Sequence, residues 1–247
     1  MSETGSILAL SGGVGGAKLA LGLAACLPPE RLSIVANTAD DFEHLGLCIS
    51  PDLDTVMYTL AGLADPERGW GLAGETWQCM DALAALGGED WFRLGDRDLA
   101  THLQRTLSLA RGDGLAAVTA KLCTALGVRH ALIPMSEQRV RTVLDTDRGE
   151  LAFQTYFVRE RCAPRVRSIR YEGAAAAAPT PALLAALGNT PDALLYASLL
   201  EAEPYIMNDA RIQTWGSMYN RAIETLNISD QQGQYSGVPL AMKLSLR

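Results

Sequence analysis

Two short segments near the N-terminus hold residues whose types and spacing suit phosphoryl chemistry. The first is a glycine-rich turn, Ser11-Gly12-Gly13-Val14-Gly15-Gly16-Ala17-Lys18, directly after the apolar run Leu8-Ala9-Leu10. Backbone amides in such a turn, at the start of a helix, can close on a phosphate. The second holds four aspartates, Asp40 and Asp41 after Asn37-Thr38-Ala39, then Asp52 and Asp54 within Ser50-Pro51-Asp52-Leu53-Asp54-Thr55. One of the four is expected to cap a turn or a helix opening at residue 55. Four carboxylates in one crevice repel one another unless a cation lies among them. Mg²⁺ takes one or two carboxylates plus a substrate phosphate.

The turn matches neither familiar phosphate-binding pattern. A P-loop needs G-x-x-x-x-G-K-[ST], but Gly12 leads to Gly16-Ala17-Lys18-Leu19, so the second glycine is displaced and the hydroxyl is missing. A dinucleotide fingerprint needs G-x-G-x-x-G, and here the last position is Lys18. What remains is the physics both share, which assigns Gly12, Gly13, Gly15, Gly16 and Lys18 to an anion. A third cluster, Trp91-Phe92-Arg93-Leu94-Gly95-Asp96-Arg97-Asp98, runs into His102. It reads either as a salt-bridged helix start or as a site where Arg93 or Arg97 orients a planar or anionic substrate. His102 alone is weak evidence for a base, and His44 and His130 receive no role.

The elements that must position these residues follow from periodicity. A strand over 6–10, a helix over 16–27 and a strand over 32–37 form a βαβ unit with both motifs at the carboxyl ends of its strands. Helices are expected over 55–63, 75–86, 99–110 and 115–126, and a strand over 128–134. From residue 140 to 172 the pattern turns to β, with strands over 140–145, 150–158 and 165–171 around Asp147-Arg148-Gly149. An Ala/Pro-rich connector over 173–181 leads to a short helix over 182–187 and a return strand over 192–196. The fold class is α/β, a Rossmann-like parallel sheet with a mainly β insertion. Residues 1–198 form the main domain. Residues 199–247, rich in Asn, Gln, Ser and Met, form an irregular, weakly ordered C-terminal segment with an amphipathic helix over 218–226.

Composition narrows the partners. The 247 residues carry a net charge of -7, which argues against nonspecific nucleic-acid binding. No apolar run approaches the roughly 20 residues of a membrane span. The five cysteines are scattered without metal spacing and fit reduced thiols in the cytoplasm.

In order along the chain come Gly12–Lys18, Asn37-Thr38-Ala39-Asp40-Asp41, Ser50 to Gly62, Gly69-Trp70-Gly71, Leu94 to His102, and Pro134-Met135-Ser136. This series resembles the 2-phospho-L-lactate transferase family of deazaflavin coenzyme F-420 biosynthesis, including its phosphoenolpyruvate-using members. The resemblance implies a Mg²⁺-dependent enzyme. It would move a phospholactyl or phosphoenolpyruvyl group from a guanosine diphosphate-linked donor to the deazaflavin Fo, releasing GMP. The reading of the residues themselves supplies matching parts, the glycine turn and Lys18 for the diphosphate and Asp41 and Asp54 as catalytic carboxylates for the metal, and the resemblance adds Asp54 and Arg93 at the Fo site. It also implies a homodimer.

The resemblance stops near Ser198. The family's Gly-Pro-Ser-Asn-Pro-type loop and the segment after it have no counterpart in Leu199-Leu200-Glu201-Ala202-Glu203-Pro204. A rearranged reading frame and a diverged pseudo-enzyme both account for this. The first alternative function is therefore a catalytically impaired protein that binds nucleotide or deazaflavin. A nucleotide-dependent dehydrogenase is the second, disfavoured by the broken fingerprint at Lys18.

Overall fold

The computed structural model describes residues 7–187. The chain divides into two units, Met1–Ala186 and Leu187–Arg247. The strand expected over 192–196, the helix over 218–226 and the irregular segment 199–247 lie outside the described residues.

Strand β1 (Ile7–Ser11), helix α1 (Val14–Cys26) and strand β2 (Leu32–Ala36) make the expected βαβ unit. β1 and β2 pair in parallel, and β2 pairs in parallel with β5 (Ala131–Pro134), so the order is β1-β2-β5. Ile34, Val35 and Ala36 of the central strand are fully buried, as an apolar strand covered on both faces must be. Around it gather Ala17 and Ala20 of α1, Leu53, Val56 and Met57 of α2 (Pro51–Leu60), and Cys123 of α5 (Leu115–Ala125). Each large aliphatic side chain buried this way contributes about 1.5–3 kcal/mol.

Helix α2 begins at Pro51, four residues before the expected start. Proline at the first helical position loses no hydrogen bond there, and its fixed φ suits the helix. Asp52 and Asp54 thus belong to the first turn of α2, and neither is the cap that the sequence suggested.

Between α2 and the insertion lie α3 (Gln78–Ala85) and α4 (Asp96–Ala110). Their N-termini are capped reciprocally. Asp96 accepts from the Gln78 and Cys79 amides (both 3.0 Å), and Glu75 from the Arg97 and Asp98 amides (both 2.9 Å). A hairpin absent from the sequence reading, β3 (Phe42–His44) and β4 (Leu47–Ile49), follows the acidic loop. Its two-residue turn has Leu45 at φ 55° and Gly46 at φ 73°, the positive pair that suits the twist of a tight hairpin. Phe42 and Leu47 of the hairpin pack on Ile49, Met80, Leu94 and Leu99.

The insertion is an antiparallel sheet of order β7-β6-β8, from β6 (Arg141–Thr146), β7 (Gly149–Ala152) and β8 (Val166–Glu172). The strand expected over 150–158 ends at Ala152, and Thr155–Arg159 winds into a π-helical turn. The short helix falls at α6 (Pro181–Leu187).

Candidate functional site

The carboxyl ends of β1 and β2 lead straight into the two motifs, which places the glycine turn and the acidic loop side by side. The Asn37 amide N–H donates to the Ser11 carbonyl at 3.0 Å and ties the two together. Within the turn, Gly13 is the residue before α1, with φ -68°, so no left-handed conformation is needed there. The glycines divide the work. A Cβ on Gly16 would lie 2.9 Å from the Ser11 Cα, whereas one on Gly15 would meet open space. Gly16 permits close packing of α1 against β1, and Gly15 leaves the first turn of α1 accessible.

The N-terminus of α1 differs from those of α3, α4 and α5. Asp96 and Glu75 serve the first two, and Glu137 accepts from the Leu115 and Ala116 amides of α5 at 2.6 and 3.1 Å. α1 has no side-chain cap. Amides that lack an internal partner at a helix start suit an anion. Lys18 is exposed on α1.

The four aspartates do converge, and Asn37 is what gathers two of them. Its side-chain Nδ2 donates to Asp40 at 3.0 Å and to Asp52 at 2.9 Å, while its Oδ1 accepts from the Ala39 amide. Asp52 lies over the glycine turn, its Oδ1 only 3.2 Å from where a Gly13 Cβ would be. Burial pushes the Asp52 carboxyl up to about 6, against the pull of Asn37 and with a further push from Asp40. Burial likewise raises Asp40. Carboxylates this close repel one another unless a proton or a cation offsets one of the charges.

Asp41 is held by Ser50, whose Oγ donates to its Oδ2 at 2.7 Å. Its other oxygen, Oδ1, is buried without a hydrogen-bond partner among the described residues. Burial pushes this carboxyl well above the usual range. Ser50 and Arg105 pull it down, and Asp54 and Asp52 push it further up. Asp40, Asp41, Phe42, Arg141, Thr142 and Gln154 line a cavity of about 30 Å³, which joins the acidic loop to the insertion. There the Thr142 amide donates to the Ala39 carbonyl at 2.7 Å.

Asp54 has a different environment. It is buried, and both its oxygens accept from the guanidinium of Arg105, at 3.0 Å from Nη1 and in a second bond from Nη2. Arg105 Nη1 also donates to the Cys48 carbonyl at 3.3 Å and lies 3.2 Å from His102 Nδ1. His102 Nε2 stands 3.3 Å from Asp98, which accepts from the Tyr58 hydroxyl at 2.6 Å. Burial opposes the charge on Arg105, but Asp54 and Asp41 outweigh it and hold the guanidinium protonated. Burial also pushes Asp98 up, and His102, Tyr58 and Arg105 more than reverse this, so it titrates below the usual range.

Arg105 escaped the sequence reading. The signal was its phase: Asp98, His102 and Arg105 are spaced i, i+4, i+7, in step with buried Leu99 on α4, so a charged side chain falls on the inward stripe. Arg93 is exposed, bonded to Asp81 at 2.6 Å, with its guanidinium 5.2 Å from the centre of the Trp77 ring. Its bonds do not tie it to Asp54. Arg97, also exposed, donates to the Ala73 carbonyl at 2.9 Å. No group of three or more His, Cys, Asp or Glu among the described residues is arranged to hold a metal by itself. Asp41 Oδ1 fits a ligand position, since a buried carboxyl oxygen without a donor is what a cation, once bound, satisfies. Asp54 has Arg105 on both oxygens, so only their remaining lone pairs face elsewhere.

A parallel α/β sheet with a glycine turn, an uncapped helix start and aspartates at its strand ends defines an α/β protein whose candidate site lies at the carboxyl ends of its strands. Residues 7–198 match the model of the family described as 2-phospho-L-lactate transferase CofD, and the chain belongs to that family. It is 43% identical over 195 residues to the phosphoenolpyruvate transferase of Streptomyces coelicolor, covering 77% of this chain and 61% of that protein. With the phosphoenolpyruvate transferase of Mycolicibacterium smegmatis it shares 41% over 205 residues, 76% and 63% of the two chains. With the 2-phospho-L-lactate transferase of Methanosarcina mazei the identity is 38% over 180 residues, 73% and 59% of the two chains. The chain therefore spans about three-fifths of the length of the curated relatives it matches. A crystal structure of a UPF0052 family protein from Bacillus halodurans aligns with a TM-score of 0.47 at 15% identity, over 75% of this chain and 56% of that one. No helix among the described residues is long and apolar enough to cross a membrane.

Proposed function

We propose that this chain carries the transferase site of deazaflavin coenzyme F-420 biosynthesis, moving a phospholactyl or phosphoenolpyruvyl group from a guanosine diphosphate-linked donor to Fo with release of GMP. The observation that carries this reading is the buried, unpartnered Oδ1 of Asp41 in the acidic loop, which the Asn37 amide ties to the glycine turn. A carboxylate oxygen kept free of donors at such a place suits Mg²⁺ shared with a diphosphate. Asp41, together with the lone pairs that Arg105 leaves on Asp54, would hold the ion. Held there, the ion would supply positive charge to offset what develops on the phosphates. The chain's own groups bind and orient: the amides of Val14, Gly15 and Gly16 donate to donor phosphate, and Lys18 adds positive charge along the same helix. Asp54 and Arg93 take the Fo side. The reading carries with it a homodimer in the cytoplasm.

The test combines Fo fluorescence titration with GMP release, in Mg²⁺ and in EDTA, for the wild-type chain and for Asp41→Asn. Ser50 can still bond the amide, so Asp41→Asn should change stability by no more than about 1 kcal/mol. Turnover and its dependence on Mg²⁺ should fall at least a hundredfold. Wild-type turnover by the folded variant sinks the assignment. Fo binding without GMP release favours a deazaflavin-binding protein instead, and binding of NAD(H) alone favours a dehydrogenase.

A further inference from the structure

Arg105 is among the largest fully buried side chains of the described residues, with 2% of its surface exposed, and Asp54 is 5% exposed. Removing a guanidinium from water carries a large cost, which only good geometry with its partners can offset. That geometry is present at the two terminal nitrogens, while Nε is buried without a hydrogen-bond partner among the described residues. The planar fork meets both oxygens of Asp54, and the Cys48 carbonyl takes a further donor. Behind the guanidinium stands a second tier. His102 Nδ1 lies 3.2 Å from Nη1, and Asp98 and Tyr58 follow beyond the ring. Two helices supply the whole ladder, Asp54 and Tyr58 at i, i+4 on α2 and Asp98, His102 and Arg105 at i, i+4, i+7 on α4. The fork fixes the plane of the Asp54 carboxylate, and the second tier fixes the fork.

We propose that Arg105 is a positioning residue for the transfer reaction: it orients the Asp54 carboxylate toward the acceptor, with His102, Asp98 and Tyr58 as the buried strut that keeps it in place. This rests on the function proposed above. Arg105 touches neither substrate, and its effect passes wholly through Asp54. Lysine keeps the charge but offers a single nitrogen where the fork offers two, so Arg105→Lys should misorient Asp54 without removing its counter-charge.

The experiment is a double-variant cycle on Fo affinity, with wild type, Arg105→Lys, Asp54→Asn and the double variant, each first shown to be folded by near-ultraviolet circular dichroism. Each single change is expected to weaken Fo binding at least tenfold, and the double variant to bind no more weakly than the worse single one. Additive losses, or wild-type affinity in Arg105→Lys, overturn the proposal. A second measurement needs no ligand: the carboxyl-carbon NMR signal of Asp54, assigned by its loss in Asp54→Asn. It should shift in Arg105→Lys and also in His102→Asn, which leaves the fork intact and serves if the lysine variant does not fold. An unmoved signal in both overturns the positioning role. A wild-type chain that binds no Fo while the signal does move overturns the proposed function and leaves Arg105 as the residue that orients Asp54.

Discussion

The same chemical unit occurs twice among the described residues, in opposite surroundings. Between α2 and α4 Arg105 grips both oxygens of buried Asp54, and on the insertion Arg170 grips both oxygens of Glu150, at 2.8 and 2.9 Å, and also reaches Glu172 at 2.9 Å. The second group lies on an exposed face, with the Arg170 side chain 42% and the Glu150 side chain 64% exposed. Water and salt can replace either partner there, so the pair contributes little to stability despite its good geometry. The first group has no such replacement. Its charges stay compatible with folding only while both are present. Hydrogen-bond geometry alone cannot distinguish a decorative ion pair from an obligatory one, whereas burial can.

The sharpest way to break this contrast is to remove each arginine in turn. Arg105→Met leaves Asp54 as a buried, unpaired carboxylate and should cost about 3–5 kcal/mol in denaturant unfolding. Arg170→Met should leave the midpoint almost unchanged, and high salt should abolish what small effect it has. Equal losses for the two would show that burial is not what separates them.

A second comparison concerns two aspartates to which no arginine among the described residues is hydrogen-bonded, Asp52 and Asp98. The Asp52 carboxyl, raised to about 6 by burial, favours its protonated form in the folded chain. That stability is fully present below the unfolded value near 4 and is lost as pH rises through about 6. Without divalent cations, unfolding free energy should therefore decline by about 2–3 kcal/mol over that interval, and Asp52→Asn should flatten the decline. Asp98 has the opposite sign: its folded value is depressed, so its contribution is present above the unfolded value and lost as pH falls through the folded one. A pH profile unchanged by Asp52→Asn would remove the contrast.

The smallest stability difference is expected within the glycine turn, where the effects separate by readout. Gly16→Val drives a side chain into Ser11 and should destabilise by about 1–3 kcal/mol, whereas Gly15→Val has open space and should leave stability nearly intact. Calorimetry with GDP should show binding lost in Gly15→Val, because its side chain blocks the approach of phosphate to the amides. Unchanged affinity there would make the turn purely structural.

Much of the frame is legible along the chain. The βαβ unit, α4, α5 and the antiparallel insertion announce themselves through apolar periodicity and turn residues, and the glycine turn and aspartates through composition. The β3–β4 hairpin does not, since its strands are three residues long and its turn pairs Leu45 with Gly46 in place of an Asn-Gly or Asp-Gly signal. Nor does the start of α2, where Pro51 reads equally as a loop residue and as a first helical position.

The sequence by itself determined which glycines and carboxylates are candidates for the site, and that they lie at strand ends, because local periodicity and glycine placement are properties of neighbours in the chain. Only the tertiary structure decided how four similar aspartates differ. Asn37 clamps Asp40 and Asp52, Ser50 holds Asp41 with one oxygen left bare, and Arg105, 51 residues away in sequence, takes both oxygens of Asp54. Partners and burial set the charge and direction of a carboxylate, and both come from segments far apart in the chain.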